Sequence, residues 1–194
     1  MKQPSTEEYE RAKAELKELK HMADEGDTTL VYSDASGFCL TPEVPYAWQD
    51  IGRNGTIRMP TAKSKRINVI GFLDPVLNQL KRYIKIGSVN SDFIIQVMDC
   101  YCAGITKLTV VVVDNASVHT SHAVMAKRDE WANKGLFIYF LPPYSPQLNL
   151  IEILWRKMKY EWLTNSSYRD LESLKAKLRE IFSSFGKDYK IQFS

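Results

Sequence analysis

Apolar and polar residues along the chain follow two periods, and together they predict a mixed α/β fold. Short apolar stretches predict strands at residues 28–34, 37–40, 67–73, 109–113 and 136–140. Apolar positions spaced three and four apart, with helix start and stop residues around them, predict helices at residues 5–22, 91–102, 120–133, 150–162 and 168–185. Residues 109–113 are apolar on both faces, which is typical of a buried central strand. The succession strand, helix, strand over residues 109–140 favours a parallel pairing and therefore a mixed sheet with helices on its faces.

Three acidic residues stand at the borders of these elements. Asp34 closes the first predicted strand, Asp114 closes the strand at 109–113, and Glu152 follows the proline-rich loop 141–149 at the start of a predicted helix. Active groups in such sheets gather at the carboxyl ends of central strands, where Asp114 is expected. Carboxylates from separate elements can converge on Mg²⁺, which prefers a few carboxylate oxygens with water and substrate phosphate. A pair of such ions about 4 Å apart can stabilise a phosphodiester displacement, so the pattern predicts a metal-dependent enzyme acting on nucleic acid.

Each acid also has an ordinary structural interpretation. Asp34 fits a turn at residues 33–37, Asp114 fits a cap of the following helix, and Glu152 fits a first-turn acid that favours the helix dipole. Asp114 makes the strongest case for metal binding, because a carboxylate buried at the end of an apolar strand without a partner costs several kcal/mol.

The predicted helix at 150–162 separates its apolar face from Glu152. The apolar stripe consists of Ile151, Leu154, Trp155, Met158 and Trp162. Glu152 falls outside this stripe, with Arg156 one turn later. We therefore expect the stripe to dock the helix while Glu152 points at a metal ion.

Three blocks of sequence surround these acids: Asp34-Ala35-Ser36-Gly37-Phe38, Asp114-Asn115-Ala116-Ser117-Val118-His119, and Tyr144-Ser145-Pro146 through Asn149-Leu150-Ile151-Glu152 to Trp155. They resemble the catalytic blocks of bacterial transposases of the insertion-sequence group related to Tc1/mariner, from about Leu30 to about Trp162. One position departs from the family, since Leu150 stands where proline is usual.

This resemblance implies a ribonuclease-H-like α/β fold, with a mixed five-stranded sheet flanked by helices. It implies that Asp34, Asp114 and Glu152 are both catalytic residues and ligands of Mg²⁺, with Mn²⁺ as a substitute and two ions in the site. It gives Asn115 and Asn149 a supporting role. His119 is expected near the site, where it would touch a phosphate or orient a water molecule.

The length and the charge distribution add expectations about organisation and DNA contact. The 194 residues fit one domain with attachments, which we divide into an N-terminal helix at 1–27, a catalytic domain at 28–165 and a C-terminal helix and tail at 166–194. The net charge is +3, yet residues 1–27 hold five basic and eight acidic groups. The predicted DNA-contact residues are Arg53, Arg58, Lys63, Lys65, Arg66, Arg156 and Lys159. The first five form an acid-free stretch that suits a phosphate backbone, although a solvated hairpin surface is the alternative.

The remaining features limit the class of protein. No run of about 18 apolar residues predicts a membrane span, and no apolar core predicts a signal peptide at the N-terminus. Three cysteines, an odd number, fit a reducing cytoplasm. We therefore predict a bacterial cytoplasmic protein that is associated with the nucleoid when bound to DNA.

The resemblance further implies cleavage of DNA at the ends of an insertion sequence and transfer of the freed 3′-hydroxyl to target DNA, with inverted-repeat ends and a short TA target. The expected partners are DNA, a second copy of the chain, and an upstream helix-turn-helix product, because only about 28 residues precede the strand of Asp34. Such a chain would be the downstream half of a frameshifted gene or a truncated copy. Two alternatives remain open: a structure-selective nuclease with a ribonuclease-H-like fold, and a non-catalytic remnant that binds DNA or inhibits full-length transposase.

Overall fold

The computed structural model describes residues 5–41 and 66–193, and its centre is one five-stranded sheet. The strands are β1 (Thr29–Phe38), β2 (Ile67–Asp74), β3 (Gln79–Ile86), β4 (Thr109–Val113) and β5 (Leu136–Phe140). Their order across the sheet is β3-β2-β1-β4-β5. The pairs β3–β2 and β2–β1 are antiparallel, whereas β1–β4 and β4–β5 are parallel. The predicted mixed five-stranded sheet is confirmed.

Helices cover both faces of this sheet. They are α1 (Thr6–Asp24), α2 (Ser91–Cys102), α3 (His122–Ala126), α4 (Arg128–Asn133), α5 (Ile151–Lys157) and α6 (Leu171–Ser183). One apolar core lies between the sheet and α1, α5 and α6, and a second lies between the sheet and α2, α3 and α4. Strand β4 contributes Val110 and Val112 to the first core and Val111 and Val113 to the second, so it is buried on both faces as predicted. None of the helices in the described ranges is long and apolar enough to cross a bilayer.

The N-terminal helix packs on the sheet. The Ser5 hydroxyl accepts a hydrogen bond from the backbone N–H of Glu8 at 3.2 Å, which caps the start of α1. Leu16 and Ala23 are buried in the first core, and the Tyr139 hydroxyl donates to Glu15. The N-terminal helix therefore belongs to the packed core of the chain.

Strand β1 differs from the sequence prediction. Residues 29–38 form one strand, so the predicted turn at 33–37 and the separate strand at 37–40 are wrong. The antiparallel partner β2 pairs with β1 from Tyr32 to Phe38, and these backbone hydrogen bonds carry the strand through Gly37. The sheet also contains strand β3, which the sequence analysis did not predict. It lies at the edge of the sheet, and its apolar pattern is weak because most of its residues are exposed.

Three other elements differ from the sequence prediction in length or in burial. The predicted helix at 120–133 consists of the short helices α3 and α4, which meet at Lys127. Strand β5 is not fully buried, because it lies at the sheet edge with Phe137 44% exposed. Helix α5 ends at Lys157, and a π-helical turn continues it over Met158–Trp162.

The docking of α5 follows from its predicted apolar stripe and from one glycine of β2. Ile151, Leu154, Trp155 and Met158 are all buried. A Cβ atom at Gly71 would stand 2.8 Å from Ile151 Cδ1 and 2.9 Å from the Trp155 ring. The absence of a side chain at Gly71 therefore lets α5 lie directly against the sheet, which sets the position of Glu152.

Candidate active site

Asp34 and Asp114 come together at the end of the parallel pair β1–β4. The last paired residues are Tyr32 and Val112, and each aspartate stands two positions further along the chain. Strand β4 ends at Val113, so Asp114 follows its carboxyl end as predicted. Asp34 does not end a strand, since β1 continues for four residues beyond it in pairing with β2. The parallel register, and not a strand end, therefore places Asp34 beside Asp114.

Glu152 reaches the same region from the first turn of α5. The preceding loop contains Tyr144 in the left-handed region at φ 61° and a short 3₁₀ turn over Pro146–Leu148. The Glu152 backbone N–H donates to the Asn149 carbonyl oxygen at 3.0 Å. The Asn149 side-chain amide in turn donates to the Ser33 carbonyl oxygen at 3.2 Å. Asn149, 2% exposed, thus ties the start of α5 to the residue that precedes Asp34.

The pKa shifts show that the three carboxylates influence one another. Burial, the charge of Glu152 and the charge of Asp114, in that order, raise the pKa of Asp34 from 3.8 to about 7. Burial and the charge of Asp114 also raise the pKa of Glu152, whereas Lys159 lowers it. Burial and neighbouring negative charge thus disfavour the ionised forms of Asp34 and Glu152. A bound cation would favour those ionised forms.

Asp114 differs from the other two acids because a histidine side chain is hydrogen-bonded to it. His119 Nδ1 lies 2.7 Å from Asp114 Oδ1, and this hydrogen bond is the main reason why the pKa of Asp114 is lowered. The Ala116 backbone N–H donates to the same oxygen at 3.3 Å. His119 is only 7% exposed, so the structure places it against the carboxylate and not on a phosphate-binding surface. Asn115 is exposed and faces a recess that it shares with Asp114 and Glu152.

The carboxylates of Asp34, Asp114 and Glu152 are suitable ligands for divalent cations that prefer oxygen atoms, such as Mg²⁺. Across residues 5–41 and 66–193, no three His, Cys, Asp or Glu side chains are gathered into a closed metal-binding group. Mg²⁺ does not require one, because it is commonly held by one or two carboxylates, water and substrate phosphate. Asp34 and Glu152 line a cleft of about 680 Å³, and Asp114 and Glu152 line an adjoining recess of about 340 Å³. Glu152 therefore stands at the junction of two spaces, each bordered by one aspartate.

Three of the predicted DNA-contact residues also line the larger cleft. Arg66, Arg156 and Lys159 surround it together with Asp34 and Glu152. The Lys159 ammonium lies 5.9 Å from the centre of the Phe38 ring. Arg53, Arg58, Lys63 and Lys65 lie outside the described residues.

Sequence reasoning missed two glycines that shape this site. The missing side chain of Gly71 allows α5 to pack closely against the sheet, and Gly37 lies beneath the Arg66 side chain. The available signal is a glycine inside a strand, which often marks a close approach of other groups to the backbone.

Comparison with known proteins identifies the family. Residues 29–175 match the family described as DDE superfamily endonuclease. An uncharacterized protein of Sinorhizobium fredii, y4pE/y4sA, is 29% identical over 65 residues, which is 34% of this chain and 44% of that protein.

Solved structures of the Mos1 mariner transposase share the fold. The mariner Mos1 paired-end complex with Mg superposes with a TM-score of 0.70 at 19% identity, over 94% of this chain and 55% of that chain. The Mos1 paired-end complex with the left transposon end gives 0.66 at 21% identity, over 94% and 56%. The chain thus spans about half the length of these transposase chains. The predicted ribonuclease-H-like fold is confirmed, and so is the predicted Asp-Asp-Glu type of catalytic domain. The chain belongs to the DDE superfamily endonucleases.

Proposed function

We propose that this chain is the catalytic domain of a transposase, which cuts DNA strands and joins the cut ends to target DNA with the help of divalent metal ions. One observation carries the proposal: the carboxylates of Asp34, Asp114 and Glu152 border two adjoining spaces, and basic side chains line the larger one. A phosphodiester has the complementary charge, since its oxygens bind both metal ions and basic side chains. Membership of the DDE endonuclease family supports the same reaction class.

Asp34, Asp114 and Glu152 would hold the cations, with Glu152 contributing from α5 at the junction of the two spaces. When bound, such ions stabilise the attacking and leaving oxygens of an in-line displacement at phosphorus. His119 would keep the Asp114 carboxylate oriented through its 2.7 Å hydrogen bond. Asn149 would hold the start of α5 beside Asp34 through Ser33. The use of Mg²⁺ or Mn²⁺ agrees with the Mos1 complexes that contain Mg and Mn.

The proposed partners are DNA and a second copy of this chain. The solved Mos1 structures are paired-end and strand transfer complexes of a mariner transposase, which supports assembly on two DNA ends. A helix-turn-helix product that recognises the end sequences is a further proposed partner.

Nicking of supercoiled plasmid in the presence of Mn²⁺ tests the proposal. The wild-type protein should nick the plasmid, Asp34→Asn should abolish nicking, and the exposed control Asp27→Asn should retain it. Nicking that survives Asp34→Asn would mean a contaminating nuclease or a wrong site. If the wild-type protein nicks the plasmid with neither Mn²⁺ nor Mg²⁺, the result would favour the non-catalytic remnant instead.

A second assay separates transposase from nuclease. A labelled oligonucleotide with a free 3′-hydroxyl, incubated with a target plasmid, should become covalently joined to the plasmid. Nicking without joining would favour the structure-selective nuclease.

A further inference from the structure

Arg66 takes an unusual path to the cleft that holds Asp34 and Glu152. It immediately precedes β2, and its guanidinium group lies over the backbone of the neighbouring strand β1 at Gly37. A Cβ atom built at Gly37 would overlap Nε, Cζ and Nη2 of Arg66. The side chain can therefore lie there only because residue 37 has no side chain of its own.

This path brings a positive charge into the cleft that also contains two of the carboxylates. Gly37 is three residues beyond Asp34 on β1, and Arg66 lines the same cleft as Asp34 and Glu152. The other basic groups of the cleft, Arg156 and Lys159, belong to α5 and the turn that follows it. Arg66 therefore supplies positive charge from the sheet, whereas the other two supply it from the helix.

We propose that Arg66 binds a phosphate group of the DNA strand next to the reacting phosphodiester, and that Gly37 is the positioning residue that fixes its guanidinium there. The inference rests on the proposed function and names one of its substrate contacts. A guanidinium is suited to this contact, because its planar fork donates two parallel hydrogen bonds to phosphate oxygens. Packing over a backbone also restricts the side chain, which reduces the entropy lost on binding.

Gly37→Ala gives a specific perturbation of this arrangement. Gly37 does not have a positive φ, so alanine can adopt its backbone conformation. The three nearest atoms all belong to the end of the flexible Arg66 side chain, and we therefore expect Arg66 to move while the strand stays in place. The effect of Gly37→Ala should consequently depend on the presence of Arg66.

The test measures binding of a fluorescent DNA duplex by anisotropy at several salt concentrations, without divalent metal, so that the DNA remains uncut. Arg66→Ala should weaken binding by about three- to tenfold and reduce the slope of log K against log salt by about 0.9, the value for one lost phosphate contact. Gly37→Ala should weaken binding in the same direction by a smaller factor. In the Arg66→Ala background, Gly37→Ala should have no further effect.

Matched controls come from the same chain. Gly104→Ala places a Cβ at an ordinary 3.5 Å from the nearest atom, Lys81 Nζ, and Arg179→Ala removes an exposed arginine of α6 that does not line the cleft. Both should bind DNA as the wild type does. Arg66→Lys, which keeps the charge and loses the fork, should lie between the wild type and Arg66→Ala. It tests the contact even if Gly37→Ala fails to fold.

Two outcomes would overturn the inference. One is an unchanged affinity and salt slope for Arg66→Ala, and the other is an equal loss from Gly37→Ala with and without Arg66. If the wild type still nicks plasmid in either case, the proposed function stands without this contact. A wild-type protein that neither binds nor nicks DNA would refute the proposed function itself.

Discussion

Replacing Asp34 by asparagine should stabilise the metal-free protein above neutral pH, even though the same change should abolish catalysis. Burial and the neighbouring acids raise the pKa of Asp34 in the folded protein to about 7, against 3.8 for the ordinary carboxyl group. The folded state therefore binds this proton more tightly than the unfolded state does. Stability is consequently lost as the pH rises from about 4 to about 7. Asparagine occupies nearly the same volume and never ionises, so it removes this loss.

The size of the effect follows from the shift. Each pKa unit corresponds to about 1.4 kcal/mol, so a shift of about 3 units amounts to at most about 4 kcal/mol above pH 7. At pH 5 most of the folded molecules already carry the proton, and the gain from Asp34→Asn should be smaller by about 2–3 kcal/mol. For a protein of this size, each kcal/mol corresponds to roughly 2–4 °C in melting temperature.

Urea denaturation at pH 5 and pH 8 in the presence of EDTA measures this difference. Asp34→Asn should exceed the wild type in free energy of unfolding at both values, and by more at pH 8. Asp27→Asn, a change at an exposed position, should show no such pH dependence. A gain that is equal at the two pH values, or a less stable variant at pH 8, would refute the reasoning that ionised Asp34 destabilises the metal-free site.

Three other predictions concern the same site. Mg²⁺ or Mn²⁺ should raise the melting temperature of the wild type by screening the repulsion between the acids, and Asp114→Asn should blunt that rise; equal rises in the two proteins, measured by calorimetry, would argue against Asp114 as a ligand. His119→Ala should cost about 1–3 kcal/mol at pH 7, because it leaves the Asp114 carboxylate without its main hydrogen-bond partner. That cost should shrink as the pH falls below about 4 and through the lowered pKa of Asp114, because the carboxylate contributes this stability only while it is ionised; urea titrations at pH 7 and pH 2.5 measure it, and a pH-independent cost would be inconsistent with this account. Gly71→Ala should destabilise the protein by about 1–3 kcal/mol and reduce nicking, because the added Cβ presses on Ile151 and Trp155 and displaces α5; unchanged stability would show that the helix can shift without cost.

The sequence predicted more of the candidate site than of the elements that carry it. The blocks around Asp34, Asp114 and Glu152 depend on the order of neighbouring residues, which can be read directly from the sequence. The extent of β1 is not local, because its second half is held by hydrogen bonds to β2, which lies about 35 residues later in the chain. A turn-like run that ends in Gly37 therefore became part of a strand. Strand β3 was not predicted for a related reason, because an exposed edge strand does not show the apolar pattern of a buried strand.

His119 illustrates the same division within the site. Its position five residues after Asp114 indicated that it would lie near the acid, but not which of its possible contacts it would make. The turn between them brings Nδ1 to 2.7 Å from the Asp114 carboxylate and buries the ring. The sequence does not show whether the His119 ring contacts a phosphate or a carboxylate. The orientation of the ring in the folded protein decides which contact it makes.

The sequence alone determined the class of fold and the family, and it predicted the three acids as candidate catalytic residues, because hydrophobic periodicity and ordered motifs are properties of neighbouring residues. The tertiary structure decided how those acids meet: the parallel register of β1 and β4 sets Asp34 beside Asp114, and the contact of α5 with Gly71 brings Glu152 to them. It also decided that Arg66 lies over Gly37 and reaches the same cleft. These arrangements depend on the close packing of residues that are far apart along the chain, and such packing is established only when the whole sheet and its helices form together.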